Sequence, residues 1–168
     1  MITTRIPDYY LKQATIDDVE LVYDFIIALA DYEEMKDGVV GSVDDLKKSI
    51  FENGEAEVLI GYYQNKPVGF CVFCKIFSTF LCQSYLYLDD LFILEDYRKL
   101  GLGKEMLCQL GLICEQRKLE RIEWFCFGWN KPSLDFYDNV LKATLHPELK
   151  RYRWEKDAIR MVIDSYDK

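Results

Sequence analysis

The chain has 168 residues, half of them hydrophobic, enough for one compact domain with a full core over 1–168. Its formal charge of −8, with an isoelectric point near 4.7, repels a phosphate backbone, which excludes nucleic acid as a partner and favours a polycation. No apolar run reaches the roughly 18 residues that cross a bilayer, and Met1-Ile2-Thr3-Thr4-Arg5 lacks a signal peptide's apolar segment, so a soluble cytoplasmic protein with no membrane partner is expected.

In chain order, Asp8 to Gln13 reads as a first strand. Thr15-Ile16-Asp17-Asp18 reads as a helix cap in which Thr15 accepts a backbone N–H bond. Val19, Val22, Tyr23, Ile26, Leu29 and Ala30 recur at helical spacing and carry the helix to about Tyr32-Glu33-Glu34-Met35. Ser42 caps a short helix holding Leu46, Ile50 and Phe51, which Asn53-Gly54 ends. Val58 to Tyr63 and Val68 to Phe77 are predicted strands joined by the turn Gln64-Asn65-Lys66-Pro67.

Tyr85 to Lys118 organises the rest: a strand, a glycine turn and a long helix with Met106, Leu107, Leu110, Ile113 and Cys114 on one stripe. The strand, Tyr85 to Ile93, carries Asp89 and Asp90 where a buried strand should carry no acid. After it, Ile122 to Phe127 is a further strand, and Pro132 starts a helix with Leu134, Phe136 and Tyr137. Thr144-Leu145, Arg151 to Trp154 and Ile159 to Ile163 supply the expected last strands. This order predicts a mixed α/β layer protein rather than a parallel doubly wound one, with two helix N-termini able to open toward one ligand.

Six cysteines, at 71, 74, 82, 108, 114 and 126, lie mostly inside apolar patterns and read as reduced core thiols. Cys71 and Cys74 lie three apart on a strand and face opposite ways, and no second pair or nearby histidine completes a metal site, so no metal is expected.

In Arg98-Lys99-Leu100-Gly101-Leu102-Gly103, two glycines entering a helix leave backbone N–H groups bare at the positive end of its dipole, which is an anion cradle. The Walker spacing fails, because Arg98 stands where its first glycine belongs and Glu105 follows Lys104. The dinucleotide fingerprint fails at Met106. What remains, Arg-x-x-Gly-x-Gly after a strand, resembles the pyrophosphate loop of the GNAT acetyltransferases.

Leu86 to Ile93, Asp96 to Gly103 and Trp129 to Tyr137, with Leu29 to Met35 at the end of the first helix, resemble the spermidine/spermine N1-acetyltransferase (diamine acetyltransferase) branch of that superfamily. The similarity runs from Leu11 to about Tyr137. It implies the GNAT acyl-CoA N-acyltransferase fold, a mixed, mostly antiparallel sheet flanked by helices, and a homodimer using acetyl-CoA. It further implies that Leu91, Phe92 and Ile93 present backbone to the pantetheine arm, and that the Arg98 motif, through Lys99, Leu100, Gly101, Leu102, Gly103 and Lys104, holds the pyrophosphate. Asn130, Ser133 and Tyr137 would lie near the arm and sulfur, and Tyr32, Glu33 and Asp89 would line the polyamine site.

The chemistry agrees with those roles. An alkylammonium with a pKa near 10 is no nucleophile, so a group must take its proton as it attacks the thioester, and Asp89 is the expected acceptor. A strand distorted at Asp90-Leu91-Phe92-Ile93 would free an N–H for the oxyanion, and Tyr137 would protonate the departing thiolate.

Asp89 stands where the mammalian-type enzymes carry Glu. After Tyr137 the family's Gly-Ala pair is replaced by Lys142-Ala143, and Lys150 sits nearer than Glu148 to an expected acid. Acetyl transfer to a primary amine of a small polyamine or diamine by direct attack in a ternary complex is therefore the leading expectation. Thialysine, lysine-type or peptide amines and a noncatalytic coenzyme-binding module are the alternatives. A hydrolase would rest on His146 alone.

Overall fold

A computed structural model describes residues 1–166, and packing divides the chain into two compact units, Met1–Phe125 and Cys126–Lys168. The first holds a six-stranded sheet in chain order: β1 (Ile2–Thr3), β2 (Tyr9–Gln13), β3 (Glu57–Tyr63), β4 (Lys66–Ser78), β5 (Gln83–Ile93) and β6 (Ile122–Glu123). Neighbours run antiparallel except β5 and β6, which are parallel. The strand expected from Asp8 is thus the second. The two-residue β1 was missed because it is too short to show a period.

Helix α1 (Val19–Tyr32) buries Val22, Phe25 and Leu29 against Val58 and Ile60 of β3, Phe70 and Val72 of β4 and Phe92 of β5. It stops at Tyr32, within the expected end, and Glu34 beyond it takes a left-handed conformation with φ 57°. The cap before it forms as a box: the Asp18 N–H bonds to Thr15 O at 2.9 Å, while the Thr15 N–H and hydroxyl reach the Asp18 carboxylate at 2.8 and 3.0 Å. Ser42 does accept the Asp45 N–H, at 3.2 Å, at the start of α2 (Val43–Leu46), which widens into a π-type turn over Lys47–Glu52. Gln64 and Asn65, with φ 51° and 61°, make a tighter β3–β4 turn than expected, and Lys66 and Pro67 join β4.

Helix α3 (Leu102–Gln116) lays Leu102, Met106, Leu107, Leu110 and Cys114 inward. β4 and β5 approach so closely that a Cβ at Gly69 would collide with the Phe92 carbonyl oxygen. Cys71 and Cys114 are buried, but Cys82 is exposed and the other three lie between, so the thiols are free without all being core residues.

The second unit holds α4 (Lys131–Phe136), continued by a π-type turn over Tyr137–Leu141, and α5 (Lys156–Tyr166). None of the expected last strands forms. Thr144-Leu145 and Arg151 to Trp154 are irregular, and Ile159 to Ile163 is helical. Ile159, Val162 and Ile163 fit the helical spacing i, i+3, i+4, and Arg160 pairs with Asp164 one turn on at 2.7 Å. β6 is likewise two residues rather than the six expected from Ile122 to Phe127. The reason lies in β5.

Candidate active site

The β4–β5 ladder pairs Phe73 with Leu88 and Val72 with Asp90, which leaves Asp89 as an extra residue in a β-bulge. The expected distortion thus falls one residue earlier than predicted. Residues paired across a ladder share a face, so the bulge changes which side β5 shows to which layer. Before it, Leu88 stands with Phe73, over which the Arg117 guanidinium lies 5.9 Å from the ring centroid. After it, Asp90 stands with Val72 and Phe92 with Phe70, on the face covered by α1. A strand without the bulge would have carried Leu88, Asp90 and Phe92 on one side.

The two carboxylates therefore differ. Asp89 is exposed and Asp90 half-buried. Burial, with the negative charges of Asp89 and Glu33 adding to it, pushes the Asp90 carboxyl up to about 7. Burial also raises Glu33, the residue just past α1. The Cys74 thiol is raised by burial and by the Asp89 charge. Three carboxylates, Glu33, Asp89 and Asp90, thus share one neighbourhood, and one of them is tuned to gain and lose a proton near neutrality.

β6 pairs with β5 only at Leu86 and Tyr87, so from Leu88 onward that edge has no strand partner among the described residues. The pairing stops just ahead of the bulge at Asp89, where a bulged strand disrupts its ladder. Leu94 N–H bonds back to Val68 O at 2.9 Å, so by the alternation of the ladder the peptide groups of Leu91 and Ile93 face the open edge and those of Phe92 face β4. An extended polar chain could add itself to that edge. Pantetheine, with its two amides, fits it.

Beyond β5 the chain turns through a short 3-10 segment, Glu95–Tyr97, held by Tyr97 N–H to Leu94 O at 2.9 Å and Arg98 N–H to Glu95 O at 3.1 Å. Lys99 and Gly101 follow with φ 65° and 82°. The first amide the helix takes up is that of Glu105, bonded to Gly101 O at 3.0 Å. Among the described residues, none of the amides from Lys99 to Lys104 finds a backbone or side-chain acceptor. Alternating hand at successive residues turns such amides toward one point, at the positive end of α3, which is what a diphosphate requires. Glu105 does not compete there, since its buried carboxylate is paired with Arg5 at 2.9 Å and accepts from Gln109 at 2.9 Å.

Arg98 does not extend outward. Its Nε donates to Ile93 O at 3.0 Å, and its guanidinium lies 4.4 Å from the Tyr32 ring centroid and 5.5 Å from that of Phe92. Tyr32 in turn meets Phe92 at 6.2 Å between centroids. Tyr32, Glu33, Asp89, Leu91, Phe92, Ile93 and the Arg98 to Lys104 loop accordingly all belong to the first unit.

In the second unit, Asn130 is buried, and its Oδ1 accepts the Ser133 N–H at 3.4 Å at the start of α4. Tyr137 is half-buried where α4 passes into the π-type turn, its ring 5.7 Å from Phe136. Glu148 is paired with His146 at 2.9 Å, and Lys150 is exposed. No helix among the described residues is long and apolar enough to cross a membrane, and no group of three or more potential ligands for a metal is found among them.

Residues 26–141 match the acetyltransferase (GNAT) family model. The chain belongs to that family. Over 133 residues it is 31% identical to thialysine N-epsilon-acetyltransferase of Caenorhabditis elegans, covering 79% of this chain and 82% of that one. Over 139 residues it is 28% identical to human spermidine/spermine N(1)-acetyltransferase-like protein 1, covering 77% of this chain and 20% of that longer one. An integron cassette protein from the mobile metagenome of V. cholerae superposes with a TM-score of 0.76 at 23% identity, over 93% of this chain and 98% of that one, which shows the shared fold. Acetyl-CoA-dependent acetyl transfer to an amine is the activity of this GNAT family member.

Asp90 is the residue that sequence reasoning passed over, because simple alternation assigns it the wrong face. A signal was present: the inward apolar positions shift from Leu86 and Leu88 to Leu91 and Ile93, a change of parity that a regular strand cannot make.

Proposed function

We propose that this acetyltransferase acetylates a primary amine of a small cationic amine, a polyamine or diamine, by direct attack on acetyl-CoA in a ternary complex. The observation that carries the reading is Asp90, lifted to about 7 on the bulge beside Glu33 and Asp89. Asp89 and Glu33 attract the ammonium, which gives one proton to solvent to become a nucleophile, while Asp90, directly or through a water, takes the second as nitrogen bonds to the thioester carbon. The carbon–sulfur bond then breaks, and Tyr137 gives its phenolic proton to the departing thiolate. The diphosphate rests on the amides from Lys99 to Lys104 after Arg98, the arm lies along Leu91 and Ile93, and Asn130 and Ser133 are the second unit's proposed contributions to holding it.

The worm relative's name favours a second reading, in which the amine is thialysine or another lysine-like amino acid. A panel of spermidine, spermine, short diamines, thialysine and peptides, read by free thiol release, separates the two. Release with amino acids alone overturns the polyamine reading, and release with peptides alone overturns both. The enzyme works as one domain spanning the whole chain, in the cytoplasm and as a homodimer. Sedimentation at micromolar concentration tests the dimer.

The pH dependence follows from Asp90. Its folded carboxyl holds a proton up to about 7, against an ordinary value of 3.8, so the folded state binds more protons in that window. Stability therefore falls as pH rises from 4 toward 7, while the active, ionised form fills. kcat/KM should climb through neutrality. Asp90→Asn should lower kcat about 10²- to 10⁴-fold and raise the melting temperature more at pH 8 than at pH 5. An unchanged kcat would remove Asp90 from the mechanism.

A further inference from the structure

Arg98 joins two regions that the functional reading gives to different ligands. Its backbone enters the bare amides of the anion cradle, while its side chain reaches back to the end of α1, where the amine is to be held. Three contacts hold the guanidinium: the Nε bond to Ile93 O at 3.0 Å, the stack over Tyr32 at 4.4 Å and the Phe92 ring at 5.5 Å. Arg98 forms no ion pair among the described residues, although Glu33, the neighbour of Tyr32, is acidic and half-buried. The stack ties the loop to the helix end.

The end of α1 is a segment that such a tie would control. Glu33 N–H bonds to Leu29 O at 2.9 Å and Met35 N–H to Ala30 O at 2.8 Å, but between them Glu34 holds φ 57°, a conformation that strains any residue with a side chain. The helix's own bonds close this turn, and Tyr32 just before it carries the contact with Arg98.

We infer that Arg98 is a positioning residue coupling the coenzyme loop to the amine site. A diphosphate on the amides from Lys99 to Lys104 fixes the loop backbone, the loop fixes the Arg98 side chain, and the stack then fixes Tyr32 and Glu33. Coenzyme binding tightens amine binding, and by linkage the amine tightens coenzyme binding by the same factor. The inference rests on the functional reading given above.

Hydrogen exchange with and without saturating coenzyme A, alongside calorimetry, tests it. In the wild type, coenzyme A should slow exchange at Glu33 to Met35 by about fivefold or more. Arg98→Met should lose that slowing and raise the amine KM more than it lowers kcat. Arg98→Lys, which keeps the charge but not the planar fork, should behave as Arg98→Met. Tyr32→Leu leaves the loop untouched, so it should bind coenzyme A within about twofold of wild type and still lose the slowing. If coenzyme A gives heat and protects the loop while Glu33 to Met35 exchange unchanged, or if Arg98→Met keeps the slowing, the coupling is overturned alone. If coenzyme A gives no heat with the wild type, the functional reading falls and takes the coupling with it.

Discussion

The N-termini of α3 and α4 begin in opposite ways, although the sequence suggests that both open toward a ligand. At α4 every amide is accounted for. Asn130 N–H bonds to Phe127 O, Lys131 N–H to Trp129 O, Ser133 N–H to the Asn130 side chain and Leu134 N–H to Asn130 O, while Pro132 has no N–H to satisfy. At α3 six successive amides, Lys99 to Lys104, lack acceptors among the described residues, and Gly101 at the cap position has no side chain to supply one. A helix start is an anion site only where the residues before it decline to cap it. Asn-Lys-Pro-Ser caps, and Lys-Leu-Gly-Leu-Gly does not.

Gly101→Val tests the bare end with the largest expected effect. Gly101 sits at φ 82°, where a β-branched residue is strained, so the turn must re-form with its amides aimed elsewhere. About 2–3 kcal/mol of acetyl-CoA binding, roughly 30- to 150-fold in Kd, should be lost by calorimetry. Full affinity would show that the diphosphate lies elsewhere.

This contrast also shows what could be read from the chain alone. The loop was legible because glycine spacing is a local signal, and β3, β4, β5 and α3 were legible because their apolar patterns span whole elements. The bulge at Asp89 and the shortness of β6 were not, since both depend on pairing between distant segments. Ile159 to Ile163 misled for another reason: a β-branched stretch carries both strand propensity and helical spacing, and a short window cannot separate them.

Asn130→Ala should act on α4 as loss of a cap acts elsewhere, lowering stability by about 1 kcal/mol in urea unfolding. Asn130→Asp, which still accepts the Ser133 N–H, should restore it. If acetyl-CoA affinity falls in both variants alike, Asn130 serves the coenzyme arm, as the family resemblance implies. Recovery of both properties in the aspartate variant would assign it to the cap.

Gly103→Ala should do the reverse of Gly101→Val. Gly103 is helical, and its added Cβ would meet Ile93 Cγ1 at 3.6 Å and Leu91 Cδ2 at 3.7 Å, ordinary contacts on the sheet side that leave the amides bare. Stability should rise by about 0.5–1 kcal/mol with the coenzyme Kd unchanged. A tenfold weaker Kd would mean that the ligand passes closer to this residue than the bare amides require.

Tyr9 carries a bare polar group of another kind, and replacing it should have the smallest effect. Its hydroxyl is buried, makes no hydrogen bond among the described residues, and lies 2.6 Å from where a Cβ on Gly61 would be. The amides of the loop face solvent and lose little by waiting for a ligand, whereas the Tyr9 hydroxyl is buried and meets no acceptor among the described residues. Burial raises its pKa for the same reason. Tyr9→Phe removes the unpaired group but leaves a gap one oxygen wide, and the two nearly offset. A gain of about 0.5 kcal/mol in the urea midpoint, with coenzyme affinity untouched, is the expected result. A loss of 1 kcal/mol or more would show that the hydroxyl is bonded in solution, and would end the distinction between a bare group that waits for a ligand and one sealed in the core.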